Sequence, residues 1–187
     1  MEYEFTLSFK IASDDADTDA LVERLGAAGC DDALVGIGQA GRIALNFTRE
    51  AGSAQEAIVS ALRDVKRAVP AALLIEAGPD LVGLTDVAEL IGMSRQNMRK
   101  LSLAHTDSFP APVHSSSVAL WHLTHVLQWL SDRGGYVIEP PLMEVARVAM
   151  QINLVKEAAL IEHQDAARHP VQGGAHRLRR CTPDAQP

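Results

Sequence analysis

The stretch Thr85-Asp86-Val87-Ala88-Glu89-Leu90-Ile91-Gly92-Met93-Ser94-Arg95-Gln96-Asn97-Met98-Arg99-Lys100 reads as two short helices around a tight turn. Thr85 is expected to cap a helix over residues 86–91, with Val87, Ala88 and Leu90 apolar. Gly92-Met93-Ser94 supplies the turn. Ser94 then caps a second helix from Arg95 to about Ala104, with Met98, Leu101 and Leu103 apolar. Two helices joined by a short glycine-containing turn form the helix-turn-helix pattern. The second helix of such a unit lies in the major groove of DNA, with its first residues on base edges. Arg95 suits guanine, and Gln96 and Asn97 suit adenine, through paired hydrogen bonds. Ser94 at the helix N-terminus suits a phosphate, and Arg99 and Lys100 add charge for the backbone. The same spacing also fits an ordinary helical hairpin with a solvated face. Three base-reading side-chain types directly after the turn favour DNA.

Toward the C-terminus, Phe109-Pro110-Ala111-Pro112-Val113 and Val118 to Trp121 are two short extended stretches around a polar tip, His114-Ser115-Ser116-Ser117. They suggest a small wing. A third helix follows, with Leu123, Val126, Leu127 and Leu130 on one face, and Gly134 stops it. Residues 84–130, roughly a quarter of the chain, resemble the winged-helix DNA-binding proteins of the MerR/excisionase (AlpA-like) superfamily. The resemblance lies in Val87 to Gln96, in Phe-Pro-x-Pro-Val at 109–113, in Trp121, and in Val126-Leu127-Gln128-Trp129-Leu130. It implies DNA binding through the second helix and a minor-groove or backbone contact by the wing. At the wing tip the sequence departs from the family, which commonly has basic residues where His114–Ser117 stand. The expected DNA-facing set is Thr85, Ser94, Arg95, Gln96, Asn97, Arg99, Lys100, His114, Ser115 and Ser116. Phe109, Trp121 and Trp129 suit the small core beneath the wing better than base stacking, because so short a unit needs large apolar side chains.

Before this unit the pattern changes. Tyr3, Phe5, Leu7, Phe9 and Ile11 alternate with polar residues, which is the period of a half-buried strand. Thr18 or Asp17 caps a helix to Leu25, which Gly26 or Gly29 ends. Residues 33–37 and 42–48 are apolar runs joined by Gly38-Gln39-Ala40-Gly41, a strand–turn–strand hairpin. Ser53 and Glu56 form a capping box for a helix carrying Ala54, Ala57, Ile58, Ala61, Leu62 and Val65. Pro70 ends it, and residues 72–76 form a short strand. The order β-α-β-β-α-β suits a ferredoxin-like sandwich. Gly36-Ile37-Gly38-Gln39-Ala40-Gly41 spells G-x-G-x-x-G, the dinucleotide fingerprint. The alternating Arg42-Ile43-Ala44-Leu45-Asn46-Phe47 after it reads as a strand, so no helix N-terminus would face a pyrophosphate.

The fold expected is therefore α+β: a ferredoxin-like domain over 1–79, a winged helix-turn-helix domain over 80–138, with Gly78-Pro79-Asp80 as the hinge, and an amphipathic helix over 139–165. That helix opens at Pro140-Pro141, and its broad apolar stripe suggests packing on a second copy of the chain or on the first domain. Residues 166–187 are rich in Pro, Gly, Gln and Arg and are expected to be disordered.

The chain has 187 residues, 47% of them hydrophobic, and a net charge of −7. This excludes global disorder and a general nucleic-acid coat protein. Residues 1–79 carry 13 acidic and 7 basic groups, 80–138 carry 5 and 4, and 139–187 carry 6 of each. The acid is thus concentrated in the first segment. No apolar run is long enough to cross a bilayer, and no secretory signal is visible. Cys30 and Cys181, far apart, suit a reducing cytoplasm rather than a disulfide framework. His105, His114, His122 and His125 fall close together without Cys or paired carboxylates at ligand spacing, so they read as solvated or phosphate-facing. The Asp14–Asp19 acids lack the spacing of a calcium loop. No catalytic constellation stands out. The expectation is a cytoplasmic, sequence-specific DNA-binding regulator, not an enzyme, with no cofactor and no metal. Its partners would be double-stranded DNA, a second copy of the chain, and a protein or small ligand at the N-terminal domain, but no membrane. The alternative is an antitoxin-like protein whose acidic first domain neutralises a basic partner while the winged helix represses its own operon.

Overall fold

A computed structural model describes residues 1–12 and 17–168, with side chains through residue 162. The chain is α+β, with six helices and two antiparallel sheets among the described residues.

The first sheet is organised by β1 (Glu2–Lys10), whose alternation buries Tyr3, Phe5, Leu7 and Phe9 and leaves Glu2 and Glu4 exposed. β2 (Ala33–Gln39) and β3 (Arg42–Glu50) form the expected hairpin, with Gly41 at φ 75° in its turn. Gly36 to Gln39 of the glycine fingerprint belong to β2, the turn is Ala40-Gly41 rather than residues 38–41, and a strand, not a helix, follows it. β1 pairs with β3 in unbroken register from Glu2↔Glu50 to Lys10↔Arg42. On its other side it pairs with β4 (Leu73–Gly78), giving the strand order β2-β3-β1-β4. α1 (Thr18–Ala27) is capped by Asp17, whose carboxylate accepts the Ala20 N–H at 3.2 Å. It runs through Gly26 rather than ending there. α2 (Ala54–Ala68) is capped by Ser53, which accepts the Glu56 N–H at 3.2 Å. Glu56 reaches back to Gly52 N–H at 3.0 Å, one residue earlier than a standard capping box requires. Both helices bury their apolar stripes on the inward face of β1 and β3.

Beyond Asp80 the chain builds a second core. β5 (Leu81–Val82) precedes α3 (Leu84–Leu90) and α4 (Arg95–Ala104). β6 (His114–Ser115) and β7 (Ala119–His122) form a hairpin, and the sheet order is β5-β7-β6. α5 (Leu123–Arg133) ends at Gly134, φ 76°. Val82, Val87, Ala88, Met98, Leu123, Val126, Leu127 and Leu130 are buried together. The expected Thr85 cap is displaced: α3 begins two residues earlier, because the Asp86 carboxylate accepts the Gly83 N–H at 2.8 Å.

α6 (Pro140–Arg168) has 29 residues and is roughly 44 Å long at the standard rise. Its first half does not wait for a partner. Val145, Val148 and Ala149 enter the first core and Ala146 the second. Residues 166–168, expected in the tail, continue the helix, and the rest of the expected tail, with Cys181, lies outside the described residues. No helix of the described residues is long and apolar enough to cross a membrane.

Candidate nucleic-acid interface

The turn between α3 and α4 is fixed by its backbone. Met93 N–H donates to Ala88 C=O at 2.7 Å, and Gly92 takes φ 67°. Ser94 accepts the Asn97 N–H at 3.2 Å and starts α4 where the sequence placed it. Met98 is fully buried and sets the rotation of α4 about its axis. Arg95, Gln96, Asn97, Arg99 and Lys100 are all left exposed. No acidic residue stands in the first turn, and none of the three cations is in an ion pair among the described residues. The helix thus presents a net charge of +3 over its first six residues, and its own dipole adds positive potential at the first turn.

The hairpin opposite is anchored by aromatic side chains. Trp121 Nε1 donates to Pro110 C=O at 2.9 Å. Phe109 meets Trp121 edge-on at 6.1 Å and Trp129 at 5.1 Å. These rings are only partly buried, but they pack on the second core and hold residues 109–113 against it. His114 and Ser115 pair with Leu120 and Ala119, so they belong to strand β6 and the tip is formed by residues 116–118. His114 Nε2 lies 2.9 Å from Ser116 Oγ.

Between α4 and the hairpin runs a groove of about 1080 Å³. Of the ten expected residues, Thr85, Arg95, Gln96, Arg99 and Ser116 line it. Asn97, Lys100, His114 and Ser115 are exposed but stand outside the lining, and Ser94 acts as the helix cap. The groove also takes in Ser102, Leu103, Thr106 and Val118, which sequence reasoning missed. Ser102, Leu103 and Thr106 could have been found by stepping the helical period from Arg95 through Arg99.

The histidines separate. His122 is not solvated: its Nδ1 lies 2.7 Å from Oδ1 of Asp80, which is 2% exposed. His125 packs against the His122 ring at 5.5 Å. A second concavity of about 760 Å³ lies between the outer face of the first sheet and α3. Glu2, Glu4, Glu76, Asp80, Asp86 and Glu139 line it, with no Lys or Arg.

Compared with protein-family models, with curated proteins and with solved structures, the chain matches none of them.

Proposed function

We propose that this chain is a sequence-specific DNA-binding regulator whose residues 80–138 act as a winged helix-turn-helix of the MerR/excisionase kind. The observation that carries the reading is the groove lined by Arg95, Gln96 and Arg99, on a helix with no acidic residue, facing a two-stranded hairpin. A helix with free guanidinium and amide groups at its start is what base-edge readout in a major groove requires. The first sheet, with its order β2-β3-β1-β4 beneath two helices, fits a ferredoxin-like sandwich acting as a sensing or interaction module. A second copy of the chain would match two half-sites, and a cytoplasmic location suits the whole reading. No cofactor, metal or catalysis enters it.

The test is selection of bound fragments from genomic DNA, followed by titration of the best fragment against random duplex. Wild type should prefer the selected fragment. Arg95→Ala should lose about 1–3 kcal/mol on it and relax specificity at one base position. Lys100→Ala should weaken all sequences alike and lower the salt slope by about 1. Equal affinity for selected and random DNA would refute the proposal.

The acidic concavity favours a second reading, in which the first domain neutralises a basic protein partner. A basic protein that co-purifies, and that is released by Glu2→Lys with Glu4→Lys but not by Arg95→Ala, would support it.

A further inference from the structure

The two edges of the four-stranded sheet are finished differently. On the β4 edge, Asn153 of α6 accepts the Ala77 N–H at 2.9 Å and donates to the Ala77 C=O at 2.8 Å. Lys156 Nζ donates to the Ile75 C=O. Side chains of one helix thus take the place of a neighbouring strand. On the β2 edge the Ala33 N–H is taken by the Cys30 C=O of its own loop at 3.2 Å, and no other described residue plays that part.

The direction of the β2 amides follows from the ladder. Thr48 N–H donates to Asp32 C=O at 3.1 Å, and the register continues through Leu34↔Asn46, Val35↔Leu45 and Gly36↔Ala44. In an antiparallel pair the hydrogen-bonded positions alternate. Residues 34 and 36 therefore face β3, and Val35 turns both its N–H and its C=O outward. Ala33 faces outward as well, but its N–H is taken by Cys30, and after Gly36 the register shifts, so Val35 is the residue of the regular stretch that offers both groups to a new strand. The edge itself, Ala33-Leu34-Val35-Gly36-Ile37-Gly38-Gln39, has no charge and no proline. Leu34 is 77% exposed and Ile37 is 40% exposed. Exposed edges in native sheets are normally blunted by Lys, Pro or a covering element, because they otherwise template another strand.

We propose that β2 is the seam of a two-fold dimer, in which the β2 strands of two copies pair antiparallel about Val35 and join two sheets into one of eight strands. The strand fits itself. A two-fold axis at Val35 lets each Val35 N–H donate to the Val35 C=O of the other copy. It also sets Leu34 opposite Gly36 of the second copy. A Cβ at Gly36 would meet nothing closer than Ala44 O at 3.6 Å, so the space over it is open to that leucine. Charge selects the occupant as well. Residues 1–79 are net −6, yet β2 carries no carboxylate, so two copies meet there without bringing carboxylates face to face. The free half of α6 also exposes Leu154, Val155, Leu160 and Ile161, but Glu157 and Glu162 stand among them. The seam is independent of whether α4 reads DNA.

Sedimentation equilibrium of the full chain decides it. Wild type should be a dimer at about 100 µM, where even a micromolar interface is filled. Val35→Pro removes an outward N–H and no β3 ladder bond, so it should give a monomer with an unchanged far-UV spectrum. Leu34→Lys, at an exposed position, should raise the dimer Kd at least about tenfold, and it decides the matter should the proline variant fail to fold. Ile161→Lys should remain a dimer. A monomeric wild type overturns the proposal. So does a folded Val35→Pro that stays dimeric, or an Ile161→Lys variant that alone dissociates.

Discussion

Arg49 is 8% exposed, and every donor position it uses is matched. Its guanidinium forks onto Asp32 at 2.6 and 2.9 Å and reaches Asp64 at 2.8 Å, Ser60 at 3.0 Å and Gly29 C=O at 2.7 Å. A buried charge persists only with such compensation, and the Asp32 hydrogen bonds hold it firmly protonated. Beside it, burial and then the Asp64 charge push the Cys30 thiol up to about 11, so it is a packed thiol rather than a nucleophile. Glu76 is the opposite case. Burial first and the Asp80 charge second raise its pKa above the usual 4.5, and Lys156 offsets only part of this. A raised carboxyl pKa means the folded chain holds the proton more tightly than the unfolded chain. The stability it contributes is present below the unfolded pKa and is lost as pH rises through the folded one. At neutral pH the ionised Glu76 therefore opposes folding. Glu76→Gln should raise Tm at about pH 7 and leave it nearly unchanged at about pH 4, by calorimetry. An equal gain at both pH values would show that ionisation is not the cause.

At the scale of elements, α6 does most to join the rest. Glu144 accepts the Tyr3 hydroxyl at 3.1 Å and lies 3.5 Å from the Ala54 N–H at the start of α2. Asn153, besides covering Ala77, donates to Oδ2 of the buried Asp80 at 2.8 Å. Asn153→Ala would leave a strand amide, a strand carbonyl and a buried carboxylate oxygen without these partners. It should cost about 2–3 kcal/mol in urea unfolding and speed amide exchange at Ala77 selectively. Uniform exchange across the sheet would mean the bond is merely part of global stability. None of this was legible beforehand, because Asn153 and Ala77 are 76 residues apart and a local pattern reads Asn153 as the polar face of a helix. Legibility followed periodicity. β1 and α2 were visible because their inward residues repeat at the strand or helix period over many positions, whereas α4 was marked by its Ser94 cap, since only Met98 of its expected apolar face is buried and Leu103 is 64% exposed. β5 was missed because two residues have no period, and the start of α3 slipped because an acidic residue at the third helical position competed with Thr85. The groove-lining side chains Arg95, Gln96 and Arg99 were legible as types. The wall they share with Ser102 and Thr106 required the helix rotation that Met98 sets.

For the whole molecule, the two cores and the charge divide in the same place while the packing does not. Nearly all excess acid lies before residue 80, and the exposed +3 lies after it. Yet α6 spans both hydrophobic cores, and Asp80, expected as part of a hinge, is buried and held from three directions. His122 and Asn153 bind its carboxylate, and its C=O accepts the Leu123 N–H at 2.7 Å. Neither core can open without stripping α6 from its other contacts, so the described residues should unfold as a single cooperative unit. The chain carries its own reporters for this. Both tryptophans, Trp121 and Trp129, pack only on the second core, whereas the far-UV signal sums all six described helices. Thermal curves followed by tryptophan fluorescence and by far-UV circular dichroism should therefore superimpose. In Asn153→Ala they should begin to separate, fluorescence and dichroism no longer sharing one midpoint. Separate midpoints in the wild type would mean that α6 is a tether between two independently stable halves. A signal from one domain would then reach the other only through ligands that bridge them, not through the fold.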